Sequence, residues 1–221
     1  MTTVRHDPTP STPVTIATAT VGLQGILGVP AEARGIVLFA HGSGSSRLSP
    51  RNAFVAAALR EVGMATLLFD LLTEEEATDR RRVFDILLLG RRLRAGAEWV
   101  RIDPRTRGLP VAYFGASTGA AAALVAAADD PAIRAVVSRG GRPDLAGDAL
   151  PAVRAATLLI VGSEDSPVIG MNESALARLR CEKRLVVVPG AGHLFEEPGT
   201  LEVVVALASE WYRRYLPLPA G

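Results

Sequence analysis

The chain has 221 residues, 48 % of them apolar, and its 24 Lys and Arg against 23 Asp and Glu leave a formal net charge of +1. So even a balance excludes nucleic acid or an anionic membrane surface as the main partner, because both demand a concentrated basic field. The length suits one large α/β domain, and the single cysteine, Cys181, excludes an internal disulfide.

Residues 1–13, MTTVRHDPTPSTP, are rich in threonine and proline and read as a flexible tail, leaving 14–221 as the domain. This opening has no apolar signal core, and no apolar run reaches the ~18 residues of a membrane span, so a cytoplasmic location is expected. Val14 to Thr20 and Leu23 to Val29 alternate apolar with small or polar residues about Gly22, the pattern of an antiparallel hairpin. Gly35 to Ala40 is a buried strand running into His41-Gly42-Ser43-Gly44-Ser45-Ser46, a loop whose backbone N–H groups can turn inward toward an anion. Ser49-Pro50 is an N-cap with proline at the first helical position, opening a helix that Gly63 ends.

Ala65 to Asp70 is the next strand. In the loop that follows, Glu74 to Glu76 either guard a cleft or open an exposed helix, with Thr73 and Glu76 spaced as a capping box. From Arg80, the residues Val83, Leu87, Leu93, Ala97 and Val100 keep helical spacing, so one long helix is expected to end before Asp103-Pro104, its arginines on a solvated face. Leu109 to Phe114 then leads through Gly115-Ala116-Ser117-Thr118-Gly119 into an alanine-rich helix. Strand, tight turn and helix around GxSxG are the setting of a nucleophile elbow, where glycines let strand end and helix start approach closely.

Three further strands are expected, Ile133 to Ser138, Thr157 to Val161 and Arg184 to Val188, with a helix from Met171 to Arg180 and a closing helix from Thr200 to Tyr215 capped by Thr200. Strands alternating with helices imply a mostly parallel, twisted sheet covered on both faces.

A serine hydroxyl needs a base to take its proton and an acid to orient that base. His193 lies in the glycine-rich loop after the last strand, and Asp165, with Glu164 second, follows an earlier one. The order Ser117, Asp165, His193, each at the carboxyl end of a strand, is that of a hydrolase triad. His41 reads as a structural histidine bracing its loop. Backbone N–H groups of Ser43 and Thr118 are the candidate oxyanion donors, with Gly42 and Gly44 beside them. Arg139 and Arg142 flank a glycine pair at the mouth end of a strand, so one of them, Arg139 first, is a candidate clamp for a substrate carboxylate, the alternative being an ion pair with Asp144 or another loop acid.

With these residues in place, the chain resembles the dienelactone hydrolase-like branch of the α/β-hydrolases. The resemblance rests on HGSGSSRLSPRN (41–52), ATLLFDLLTEEE (65–76), YFGASTGAAAAL (113–124), SRGGRPDL (138–145), TLLIVGSEDSPV (157–168) and CEKRLVVVPGAGHLFEEPGTLE (181–202). It implies a Ser117, Asp165, His193 triad, no cofactor, no metal and a small-molecule ester as substrate. Some similar proteins carry a phosphoribosyltransferase domain beside the hydrolase, and only the hydrolase part is expected here. Dienelactone hydrolases proper use cysteine as nucleophile where this chain has Ser117, so hydrolysis of small or short-acyl carboxylic esters, lactones included, is the expectation. A thioesterase, acyltransferase or amidase with the same triad, or a binding module on the same fold, are the alternatives, and oligomerisation is left open. No segment is long enough for a large cap domain.

Overall fold

In the computed structural model, which describes residues 9–216, eight strands form one sheet in the order β1-β2-β4-β3-β5-β6-β7-β8. They are β1 (Ser11–Ala17), β2 (Gly22–Gly28), β3 (Gly35–Ala40), β4 (Met64–Phe69), β5 (Val111–Ala116), β6 (Ala135–Arg139), β7 (Ala156–Gly162) and β8 (Lys183–Val188). β1 pairs antiparallel with β2 and β2 with β4, while every neighbour from β4 to β8 is parallel. The five runs from β3 to β7 are buried along their whole length, as parallel strands covered on both faces must be.

The helices are α1 (Pro50–Glu61), α2 (Arg80–Val83), α3 (Ile86–Ile102), α4 (Thr118–Ala128), α5 (Ser166–Arg178) and α6 (Thr200–Tyr215). α1 and α6 cover one face through Val55, Leu59, Val204 and Tyr212. α3 and α4 cover the other through Leu89, Leu93, Val100 and the alanines of α4, whose small side chains let that helix lie close to the sheet. Trp211 Nε1 donates to Ala156 O at 3.0 Å and Tyr212 Oη to Tyr113 O at 2.8 Å, pinning α6 across β5 and β7. No large cap covers the carboxyl ends of the strands, and no helix among the described residues is long and apolar enough to cross a membrane.

Several boundaries differ from the sequence expectation. β1 takes in Ser11 to Pro13 from the stretch read as a tail, because their backbone pairs with Ile26 to Gly28; residues 1–8, His6 included, lie outside the described part. The single helix expected from Arg80 is two. The Asp79 carboxylate caps the short α2, Phe84 closes it, and Asp85 Oδ1 accepts from Leu88 N–H at 2.9 Å to start α3 afresh. α5 begins at Ser166 rather than Met171, using Pro167 in its first turn. Gly199, in the left-handed region at φ 83°, caps α6, while Thr200 Oγ1 donates to Glu197 O at 2.7 Å. Pro143–Ala152, after β6, forms 3₁₀ turns.

Candidate active site

β5 ends in the elbow. Ser117 sits at φ 51°, ψ −125°, a conformation that costs a non-glycine residue energy and lifts its hydroxyl off the sheet edge. The flanking glycines are required by contact. A Cβ on Gly115 would lie 2.5 Å from Ala120 Cα, and one on Gly119 would overlap the carbonyl oxygen of Ala40 on the neighbouring strand.

Around Ser117 the fold brings together residues far apart in sequence. His193 Nε2 is 3.3 Å from Ser117 Oγ, and His193 Nδ1 is 2.6 Å from Asp165 Oδ2. Asp165 stands at the N-cap of α5, yet its side chain makes no capping bond, so the carboxylate is directed to the imidazole. It is shielded, with a side chain 12 % exposed against 37 % for His193, as suits a group that orients a base while the base meets solvent. Glu164, the second candidate acid, is exposed and accepts from Ser163 Oγ at 3.0 Å. The geometry places a hydroxyl, an imidazole and a carboxylate in series.

Thr118 opens α4, so its backbone N–H has no acceptor within the helix and lies at the positive end of the helix dipole. The second candidate donor, Ser43, already has a partner: its N–H donates to Thr118 Oγ1 at 3.1 Å, tying the 41–46 loop to the elbow. The loop is held from behind by His41, whose Nδ1 faces Gly42 O at 3.1 Å and whose Nε2 accepts from Leu71 N–H at 3.3 Å. Burial disfavours the charged imidazole and lowers its pKa against the opposing pull of Gly42 O and Asp70. Arg47 and Asp70 form an ion pair that anchors the far end of the loop.

A cavity of about 680 Å³ opens over the site, with Gly42, Ser43, Gly44, Ser117, Arg139 and His193 on its wall. Arg139 is 5 % exposed and, among the described residues, has no carboxylate partner. It donates to Asn52 Oδ1 at 3.3 Å and Leu194 O at 3.5 Å, lies against the Phe195 ring, and its Nε has no acceptor. Burial, with Arg51 nearby, pulls its pKa down to about 10, which still leaves a cation at neutral pH. Of the two arginines, Arg142 makes the expected ion pair, binding Asp144 through two nitrogens at 2.9 and 2.8 Å. Asn52, 3 % exposed, was not singled out from sequence; an asparagine among the buried positions of α1 is its only signal.

Glu76 is tied into its own loop and to α2 and α3. Thr73 and Glu76 exchange the two bonds of a capping box at 3.0 and 3.2 Å. Glu76 also binds Arg82 and Arg92, each at 2.8 Å, so Arg92 is buried rather than on the solvated face expected for that helix. Burial raises the Glu76 carboxyl, but Thr73 N–H and the two arginines outweigh it and hold the pKa below the usual range.

No protein-family model matches the chain. A crystal structure of a dienelactone hydrolase from Anabaena variabilis is 56 % identical, covers 97 % of this chain and 100 % of its own, and superposes with a TM-score of 0.92. An α/β serine hydrolase without lid from Xanthomonas campestris is 25 % identical over 96 % of this chain and 98 % of its own, with a TM-score of 0.79. A Mycobacterium tuberculosis protein provisionally named a phosphoribosyl transferase is 57 % identical over 211 residues, 94 % of this chain and 48 % of that protein. The chain thus spans about half the length of the curated relatives it matches.

Proposed function

This chain belongs to the dienelactone hydrolase-like family of α/β serine hydrolases, and we propose that it acts as one cofactor-free carboxylesterase domain working through an acyl-enzyme. The observation that carries the proposal is the series Ser117 Oγ, His193, Asp165, at 3.3 and 2.6 Å. Ser117 Oγ attacks the ester carbonyl as His193 Nε2 takes its proton. The C–O bond to the alcohol then breaks, and His193 returns the proton to the leaving oxygen. Water, deprotonated by the same nitrogen, releases the acid and restores the serine.

Asp165 holds the imidazole in the tautomer that accepts from serine and stabilises the imidazolium. Thr118 N–H supports the negative oxygen of the tetrahedral intermediate. Ser43 N–H joins it when the Thr118 hydroxyl yields its bond, a rotation about one side-chain torsion. A fluorophosphonate probe tests the reading: mass spectrometry should find the adduct on Ser117. A protein left unlabelled would fit a binding module on the same fold. Labelling together with turnover of thioesters or amides in preference to esters would favour the other acyl donors.

Arg139 is the substrate contact on the His193 side of the cleft. A buried cation without a counter-ion is costly, and an anionic group on the substrate offsets that cost. We expect 4-acetoxybenzoate to be deacetylated in preference to methyl 4-acetoxybenzoate, in which the carboxylate is masked, and Arg139→Met to lower that preference about tenfold or more. Equal loss on both esters would remove the clamp.

A further inference from the structure

The esterase reading fixes which way a substrate lies, and a second cavity stands where its acyl group must go. His193 Nε2 delivers a proton to the leaving oxygen, so the alcohol half occupies the side of the cleft that holds His193 and Arg139. The substituent on the carbonyl carbon points the other way, past the oxyanion donors. There, sharing the Gly42–Ser46 loop with the main cavity, is a space of about 210 Å³ with Ser43 and Thr118 on its near wall. Neither Ser117 nor His193 lines it. Leu72, Ala77, Val83 and Leu89 give it an apolar wall, while Ser43 lines both spaces and its hydrogen-bond partner Thr118 lines this one.

We propose that this cavity is the acyl pocket, that it takes a neutral apolar acyl chain or aromatic acid of about six to eight non-hydrogen atoms, and that Val83 sets its limit. The size follows from comparison: an apolar cavity of about 150 Å³ holds benzene, and this one is larger by a few atoms. The sign of the charge follows from the rim. Besides the neutral His41, the ionisable side chains on the wall are Asp70, already paired with Arg47, and the exposed Glu74, so a carboxylate at the end of the acyl chain is repelled. Val83 is the adjustable wall because it comes from α2, a single turn with no fully buried residue that packs chiefly against the 3₁₀ turn Glu76–Thr78 and α3. Leu72 and Leu89 are buried in the core and fix the opposite side.

The test is a p-nitrophenyl ester series from acetyl to decanoyl on the native protein, Val83→Phe and Val83→Ala, with fluorophosphonate labelling of Ser117 run beside each. For the native protein kcat/KM should rise about three- to fourfold per methylene as far as hexanoyl and fall by decanoyl. Val83→Phe should lower the hexanoyl-to-acetyl ratio at least tenfold, and Val83→Ala should move the fall to longer chains. The hemisuccinyl ester should be a much poorer substrate than the butanoyl ester. Chain-length ratios unchanged in both variants, with Ser117 still labelled and esters still hydrolysed, would overturn the acyl pocket and leave the esterase standing. A native protein that neither hydrolyses esters nor labels at Ser117 would overturn both.

Discussion

Ser117→Ala should lower kcat for ester hydrolysis by about 10⁴ or more while leaving the fold intact. The fold should survive because the elbow is built by its neighbours: Gly115 and Gly119 permit the close approach, and Arg142 N–H donates to Ser117 O at 3.0 Å through backbone alone. Alanine meets the same backbone strain as serine at φ 51° and loses only the hydroxyl. What disappears is the covalent route, since His193 then has no nucleophile to deprotonate. What remains is the stabilisation of the negative oxygen by Thr118 N–H and whatever the cavity contributes by binding, which in serine hydrolases preserves a residual 10³–10⁴ over water. Turnover of p-nitrophenyl acetate, with circular dichroism to check folding, measures the drop. Hydrolysis at the native rate by the variant would mean that the serine is not the nucleophile, and the acyl-enzyme proposal would go with it.

The parts of this fold legible in the sequence are those in which a local steric or hydrogen-bonding demand restricts residue type. Only glycine fits at 115 and 119, so the elbow shows as a spelling. Ser49 before Pro50, and Thr73 three residues before Glu76, announce bonds that the backbone makes within one turn. The buried runs of β3 and β7 show as continuous apolar stretches because both faces of the sheet are covered. The break between α2 and α3 was hidden for the converse reason. Apolar residues at helical spacing run straight through it, while the interruption depends on Asp85 preferring to cap Leu88 N–H over continuing the helix, a competition that periodicity does not register. Least legible were the contacts made across the sheet. Arg139 is defined by Asn52 and Leu194, which lie 87 and 55 positions away, whereas the Arg142–Asp144 pair joins residues two positions apart and was within reach of the sequence. Likewise the Ser43–Thr118 bond joins residues 75 positions apart and changes how an oxyanion would be received without leaving any local pattern.

Replacing Asp165 by asparagine should be nearly as damaging as losing the serine, a fall in kcat of roughly 10⁴, although the side chains have almost the same shape. The reason lies in a proton position. With a carboxylate 2.6 Å from Nδ1, the imidazole keeps its proton on that nitrogen and presents a lone pair at Nε2 to Ser117. An amide can turn its NH₂ toward Nδ1, which then becomes an acceptor, and the proton moves to the nitrogen facing the serine. The base is then blocked without any displacement of backbone. Because the Asp165 side chain makes no capping bond to α5, its loss removes no helix-end interaction, so the melting temperature should scarcely change. Glu164 gives the control. It is exposed and bonded to Ser163 rather than to the imidazole, so Glu164→Gln should alter kcat by less than about threefold. A large loss in Glu164→Gln with a small one in Asp165→Asn would reassign the acid to residue 164, and with it the direction from which the base is held.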